Sequence, residues 1–267
     1  MPELPEVETV ARGLHRLVAG DTIEAIWLAD YPEPLKSPAS EIKAALTGAQ
    51  IVAVRRAAKH IVVDLKPAAQ WIVHLGMSGR LLVSREEDDL AKHTHAIVSL
   101  KSGRQIRFVD PRRFGRLAVT RPGEPFQAAG KEPLRIKFPE FSQLFRGRST
   151  PIKSALLNQK LLGGVGNIYA DESLFRAAIR PRRRAAQLTY ADLRRLYDSL
   201  KKVLREAIAA RGSSVSNYVN ADGESGSYQF HHRVYRRTGQ PCLRCRAPIK
   251  RIVIGGRGTH YCPRCQK

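Results

Sequence analysis

The sequence has 267 residues, enough for two domains or one domain with appendages, and its longest apolar runs are strand-sized, which argues against a membrane-spanning helix. Its net charge of +22 is unevenly spread: residues 1–125 hold 18 Lys and Arg against 15 Asp and Glu, and residues 126–267 hold 28 against 9. A basic C-terminal half favours a nucleic-acid partner, because phosphate neutralisation releases counterions, over an anionic membrane or plain surface solubility.

The N-terminal part of the chain predicts one helix followed by strands. Residues 5–19 place apolar side chains such as Val7 and Leu14 at helical spacing, and Gly20 follows as a stop. From about 22 to 120 the pattern shortens to strand-like segments separated by turn signals. The eight predicted strands are 22–28, 50–56, 60–65, 71–75, 80–83, 95–100, 105–109 and 116–119. We expect a β-sandwich or barrel with a single N-terminal helix.

The C-terminal part predicts helices. Residues 121–134 contain several prolines and glycines and indicate a linker. Residues 190–210 form the clearest helical pattern, with Thr189 and Asp192 as its cap and Gly212 as its end. Its predicted apolar face is Tyr190, Leu193, Leu196, Tyr197, Leu200, Val203, Leu204, Ala207 and Ile208. Residues 212–228 are polar and rich in Gly and Ser, which predicts a mobile loop.

The cysteines form two CxxC pairs near the C-terminus: Cys242, Cys245, Cys262 and Cys265. Pairs at this separation are typical of a four-thiolate zinc site, in which each turn supplies two sulfurs. Residues 249–254 and 257–261 predict two short strands, so we expect one zinc ion bound by a β-hairpin. Four thiolates leave no open position for a catalytic water, which makes this zinc structural. Two disulfides are the alternative, disfavoured because no signal peptide precedes the chain.

The chain begins MPELPE, and removal of Met1 gives Pro2 a free secondary amine. An α-amino group titrates near ~7.7–8.0, so more of it is unprotonated at neutral pH than for lysine. Such an amine can attack a sugar carbon and form an iminium, with Glu3 and Glu6 placed to act as acid and base. Taken alone, these residues are more typical of an ordinary helix start.

Three further segments accompany this opening and the cysteine pairs: HLGMSG at 74–79, DPRRFG at 110–115 and GGVGNIYADE at 163–172. Together and in this order, the five motifs resemble the formamidopyrimidine-DNA glycosylases from residue 2 to residue 267, with a departure around 121–150. The sister family, endonuclease VIII, usually has Gly at the position of Leu4, so the formamidopyrimidine branch is the closer match.

The resemblance implies a catalytic group. Pro2 would attack C1′ of the damaged nucleotide, Glu3 would protonate the opening sugar, and Glu6 would help to orient it. Lys59 would contact phosphate and assist β-elimination, although RRAAK has one residue more than the usual family spacing. Arg257, at the hairpin tip, would contact phosphates near the lesion and take part in δ-elimination.

The resemblance also implies side chains that replace an everted base. Flipping a base out of the stack costs a few kcal/mol, and an apolar wedge can occupy the vacated step. Met77, Arg112 and Phe114 match the three family residues that fill this gap. Residues 213–228 take the place of the loop that closes over the everted purine, and their composition suits a lid that orders on binding.

Further residues match family contacts to the DNA backbone. Asn167 would hold phosphate together with N–H groups at a helix start. The other implied phosphate contacts are His93, Arg148 and Lys153. Thr94 stands where the family often has aspartate, so we expect weaker ordering of the neighbouring histidines. Glu172 resembles a buried glutamate that supports the GGVGN turn, which makes it structural.

We therefore expect an α+β protein whose duplex DNA partner lies across a cleft between two domains. The predicted boundaries are a β-sandwich catalytic domain over 1–125, a linker over 126–134, a helix–two-turns–helix domain over 135–230 and a zinc hairpin over 235–267. The implied activity is a bacterial, cytosolic, monomeric DNA glycosylase and abasic-site lyase that removes 8-oxoguanine and formamidopyrimidines, with no membrane association. The alternatives are a preference for oxidised pyrimidines, as in endonuclease VIII, and a non-catalytic DNA-binding zinc protein.

Overall fold

The structure is a computed structural model that describes residues 1–215 and 218–267. The chain forms two compact units, the first built from Met1–Ala128 with Ala210–Ser227 and the second from Ala129–Ala209 with Tyr228–Lys267. Within the described ranges, no helix combines the length and the apolar character needed to cross a bilayer. The mixture of helices with antiparallel sheets confirms the predicted α+β class.

The described residues of the first unit form two helices and eight strands. In chain order they are α1 (Leu4–Val18), β1 (Ile23–Leu28), α2 (Ala39–Leu46), β2 (Gln50–Ala57), β3 (His60–Lys66), β4 (Gln70–His74), β5 (Arg80–Arg85), β6 (Thr94–Leu100), β7 (Arg104–Val109) and β8 (Arg116–Val119). The strands form two four-stranded antiparallel sheets, ordered β1-β6-β7-β5 and β2-β3-β4-β8. All eight predicted strands are present, within one or two residues of their expected ends.

One hydrophobic core joins both sheets and α1. The helix contributes Val7, Val10 and Leu14 from one face, as its helical spacing predicts. The sheets contribute alternate residues such as Ile61 and Phe108, both buried. This packing fixes the start of α1, and with it the first residues of the chain, against the sheets.

The structure of this unit has two features that the sequence did not predict. A second helix, α2, stands where only loops between strands were expected, and its buried positions are few, Ile42 and Leu46. The segment Ala210–Ser227 groups with the first unit rather than with the helical domain. Although the segment is polar overall, two of its residues, Tyr218 and Ala221, belong to the hydrophobic core of the first unit. Residues 216–217 of the predicted mobile loop lie outside the described residues.

The second unit is helical and ends in a hairpin. Its elements are α3 (Phe138–Gln143), α4 (Ile152–Leu157), α5 (Asn167–Arg176), α6 (Tyr190–Ala209), β9 (Lys250–Ile254) and β10 (Arg257–Tyr261), with short 3-10 turns at Ala185–Gln187 and Tyr228–His231. The predicted cap of α6 is confirmed, because Asp192 N–H donates to Thr189 Oγ1 and Thr189 N–H donates to Asp192 Oδ2, each at 3.1 Å. Tyr190 was wrongly assigned to the buried face: it is 72% exposed and contacts the ring of Phe138 edge-on.

Candidate functional site

The start of α1 gathers the proposed catalytic carboxylates. Pro2, Glu3 and Glu6 are all buried. Glu6 occupies the third helical position, where its Oε2 accepts a hydrogen bond from Glu3 N–H at 2.9 Å. Its other oxygen, Oε1, accepts the N–H of Ser213 at 2.7 Å. The Glu6 carboxylate therefore holds the chain start and the 212–214 segment together.

The approach of that segment depends on glycine. Gly212 has φ +81°, and a Cβ built on it would lie 2.8 Å from Glu6 Oε1. A side chain there would be strained by the backbone and would displace the carboxylate. Tyr218 also joins the start of α1 to this segment. Its hydroxyl is 3.3 Å from Glu6 O and donates to Arg211 O at 3.1 Å. Burial raises the pKa of the Tyr218 hydroxyl, which therefore stays a neutral donor.

The surroundings of the chain start lower the pKa of the Met1 α-amino group. Burial of the Met1 amine is the largest cause. The carboxylates of Glu3 and Glu6 oppose this shift, whereas the cations Lys59 and Arg112 add to it. These are four of the charged residues singled out from the sequence, and all act on one nitrogen. A lowered pKa increases the fraction of this amine in the neutral, nucleophilic form at a given pH.

Lys59 lies in the turn between β2 and β3 and is 8% exposed. Ala58, which directly precedes Lys59 in this turn, has φ +53°. On the next strand, β4, His74 Nδ1 accepts the N–H of Gly76 at 3.1 Å and so orients the HLGM turn. Burial lowers the pKa of His74 to about 4, so the ring is neutral at physiological pH and its Nδ1 is free to accept this bond.

The three predicted gap-filling side chains lie on two exposed turns of the first unit. Met77 is 38% exposed and Phe114 is 48% exposed, both unusual for large apolar side chains. The Arg112 guanidinium lies over the Phe114 ring, 5.0 Å from its centroid. His93, the predicted phosphate contact, is also exposed. The four residues remain candidates for DNA contact.

In the second unit, the GGVGN segment forms the connection between α4 and α5. Gln159 organises it: its Nε2 donates to Leu157 O and to Val165 O, each at 2.8 Å, and its Oε1 accepts Gly164 N–H at 2.9 Å. Asn167 begins α5, as predicted, and its Nδ2 donates to Gly258 O of the hairpin at 3.0 Å. Arg148 and Arg257 are exposed.

Lys153 is the predicted DNA contact that the structure contradicts. Its side chain is fully buried, and its Nζ pairs with Asp171 Oδ1 at 2.7 Å. The same Nζ donates to Gly258 O at 3.0 Å and to Thr259 Oγ1 at 2.9 Å. A buried ammonium held in this way does not reach a phosphate, so Lys153 instead anchors β10, which begins at Arg257.

Sequence reasoning missed the partners of this buried lysine. Asp171 Oδ2 accepts the backbone N–H of His260 at 2.8 Å and lies 3.2 Å from its Nδ1. The one signal for Asp171 in the sequence is that it stands next to a second acidic residue, Glu172. Glu172 is structural as expected, but it holds another segment: its oxygens accept the N–H groups of Arg233, Val234 and Tyr235.

The four cysteines converge as the spacing predicts. Their sulfurs all lie within 4.8 Å of one another. Cys245 and Cys262 are 3.4 Å apart and Cys242 and Cys265 3.9 Å, far longer than a disulfide bond, so the disulfide alternative is wrong. Tetrahedral zinc with Zn–S bonds of ~2.3 Å needs sulfurs about 3.8 Å apart, so the donor set fits the ion. Zinc bound there supplies a fixed cross-link and leaves catalysis to other residues.

Three sequence profiles match the chain. They describe the formamidopyrimidine-DNA glycosylase N-terminal domain (residues 1–117), its H2TH domain (129–219) and a zinc finger found in FPG and IleRS (239–267). The formamidopyrimidine-DNA glycosylase of Solibacter usitatus is 43% identical, over the whole of both chains.

Solved structures agree with these matches. A structure of MutM in complex with DNA that contains carbocyclic 8-oxo-G is 34% identical with a TM-score of 0.92, over the whole of both chains. A complex between Lactococcus lactis Fpg and DNA that contains an abasic site is 33% identical with a TM-score of 0.90, over 99% of each chain. The chain belongs to the formamidopyrimidine-DNA glycosylase family.

Proposed function

We propose that this protein excises oxidised purines, 8-oxoguanine and formamidopyrimidines, from duplex DNA and then cuts the strand at the resulting abasic site. The observation that carries the proposal is the chain start, where Pro2, Glu3 and Glu6 are buried together and the charges of Lys59 and Arg112 act on the α-amino group that precedes Pro2. Relatives bound to 8-oxo-G DNA and to abasic DNA support both steps.

The first step is displacement of the base. After removal of Met1, the Pro2 nitrogen attacks C1′ and the N-glycosidic bond breaks; its electron pair leaves with the base, which takes up the proton that the Pro2 nitrogen loses. Glu3 donates a proton to the ring oxygen as the sugar opens, which leaves an iminium between Pro2 and C1′. Glu6 holds Glu3 and the 212–214 segment in position through its two hydrogen bonds.

The second step cleaves the strand from the same adduct. The iminium withdraws electrons from the neighbouring C2′–H bond, so loss of that proton expels the 3′ phosphate, and a second elimination expels the 5′ phosphate. Lys59 stabilises phosphate during the first elimination. Arg257 does so for the second from the tip of the zinc hairpin, whose strand β10 is anchored by Lys153.

Excision on matched duplexes tests the lesion class. Duplexes with one 8-oxoguanine opposite cytosine, one formamidopyrimidine, or one oxidised pyrimidine are incubated under single-turnover conditions. The proposal predicts faster release of both purine lesions. Faster release of the pyrimidine would instead indicate an endonuclease VIII-like specificity, and no release of any base would indicate a DNA-binding protein without glycosylase activity.

A further inference from the structure

We infer that Asp110 is the positioning residue that aligns the base-replacing side chains Met77, Arg112 and Phe114. Asp110 is buried, and it lies far from the chain terminus in sequence. The inference rests on the proposed function, because it assigns Asp110 to the eversion of the lesion. Asp110 directly follows strand β7 as the first residue of DPRRFG, and its side chain has no solvent exposure.

The Asp110 carboxylate binds both exposed turns at once. Its Oδ1 accepts the hydroxyl of Ser78 at 2.5 Å, and Ser78 directly follows Met77. The same oxygen accepts the N–H of Arg112 at 3.2 Å, and Oδ2 accepts the N–H of Gly115 at 2.7 Å. The two backbone bonds therefore bracket Phe114. Burial of a carboxylate is costly, and these donors offset that cost only while both turns keep this arrangement.

The peptide groups of Asp110 extend the same connection to a third segment. Its N–H donates to His93 O at 3.0 Å, and its carbonyl oxygen is 2.9 Å from His95 Nε2. His93 is the exposed histidine predicted to contact phosphate. A single residue thus links the Met77 turn, the Arg112–Phe114 turn and the histidine pair, which are separate in sequence.

The two turns also touch without a side chain between them. Gly76 has φ +62°, and a Cβ there would lie 2.5 Å from the carbonyl carbon of Phe114. Such close backbone contact leaves little room for either turn to shift alone. Met77 and Phe114 are therefore held out as one preformed wedge, which lowers the entropic cost of inserting them into a base stack.

Two activities distinguish a positioning role for Asp110 from a role in folding. Loss of positioning should reduce only one of them, whereas loss of folding should reduce both. Eversion is needed to excise a base from duplex DNA, whereas an abasic site in single-stranded DNA presents its sugar without eversion. In Asp110→Asn, an amide NH₂ replaces one acceptor oxygen and faces an N–H donor, which loosens a turn while the volume is kept. We expect single-turnover excision of 8-oxoguanine opposite cytosine to fall at least about tenfold, since small misplacements can cost ~100-fold.

The matched readout is strand cleavage at a preformed abasic site in single-stranded DNA, expected to stay within about threefold of wild type. Asp89→Asn, at an exposed position, makes the same charge change and should leave both activities intact. Equal losses on the two substrates, or full excision by Asp110→Asn, would overturn the assignment. Absence of excision by the wild type would count against the proposed function instead.

Ser78→Ala decides the matter if Asp110→Asn does not fold. It removes only the bond between the carboxylate and the Met77 turn. The inference predicts a smaller loss of duplex excision, with cleavage of the single-stranded abasic site unchanged. Equal activity of Ser78→Ala and wild type on both substrates would then contradict it.

Discussion

The carboxylate of Glu6 accepts the backbone N–H of Ser213 at 2.7 Å, so a residue on the first turn of the first helix is bonded to a segment more than two hundred positions later. The same carboxylate accepts the N–H of Glu3. Each of its two oxygens therefore accepts one backbone donor. A shift of either segment would displace Glu3, the proposed acid, and Pro2, the proposed nucleophile beside it.

Glu6→Gln tests this arrangement. The amide keeps the size of the side chain, but its NH₂ must face one of the two N–H donors and repel it. We expect base excision to slow by ~10²-fold, the lower part of the range for a lost acid–base contribution. Single-turnover excision measures it, with Glu41→Gln on the exposed face of α2 as the control for charge. An unchanged rate in Glu6→Gln would contradict the assignment.

The pH dependence of adduct formation tests the surroundings of the amine. Burial lowers the pKa of the Met1 α-amino group, and we expect the Pro2 amine that replaces it after Met1 is removed to be shifted in the same direction from the ordinary range of ~7.7–8.0. The adduct rate should therefore fall as pH decreases, with a midpoint below that range. Lys59 lowers the pKa further, so Lys59→Met should move the midpoint upward. A midpoint that does not move in this variant would show that Lys59 has no influence on the amine.

The buried pair of Lys153 and Asp171 should be important for the stability of the second unit. Lys153→Met leaves Asp171 charged and without its cation, which costs about 3–5 kcal/mol. Amide exchange in β10, measured by mass spectrometry, should speed up most in this variant. Arg148→Met, at an exposed cation, should change stability by less than about 0.5 kcal/mol.

A double variant separates loss of the pair from loss of packing. Lys153→Met with Asp171→Leu removes both charges, so it should recover much of the stability that Lys153→Met loses. A double variant as unstable as the sum of the two single variants would show that the two side chains do not stabilise each other.

Zinc removal should affect the second unit selectively. Metal analysis should give one zinc per chain, and chelation should increase amide exchange over residues 240–267, because the four thiolates lose their common ligand. Both tryptophans, Trp27 and Trp71, belong to the first unit, and Trp71 is fully buried. The Trp71 emission should therefore stay native. Its loss together with zinc would mean that the two units unfold as one.

The sequence predicted those features that depend on local pattern. Alternating apolar residues gave the eight strands, and helical spacing with a Thr189–Asp192 cap gave α6. Helix α2 was not predicted because only two of its residues, Ile42 and Leu46, are buried, too few to make a clear apolar stripe. The zinc ligands were predictable because ligand spacing is itself a local property.

Features that depend on tertiary neighbours were not predictable. Lys153 reads as a surface cation in sequence, and only the fold brings Asp171 and Thr259 to it. Asp110 reads as a turn residue before proline, and its proposed role depends on Ser78, which lies 32 positions earlier in the chain. Lys153 and Asp110 thus each have a partner from a distant segment, which local periodicity does not predict.

Covalent trapping tests the central claim, that Pro2 is the nucleophile. Duplex DNA containing one 8-oxoguanine is incubated with the protein and borohydride, which reduces an iminium to a stable amine, and the adduct is digested and sequenced by mass spectrometry. We expect a chain that lacks Met1 and carries the sugar on the Pro2 nitrogen, with far less adduct in Pro2→Gly. A sugar attached to a lysine, or full trapping by a chain that still carries Met1, would contradict it.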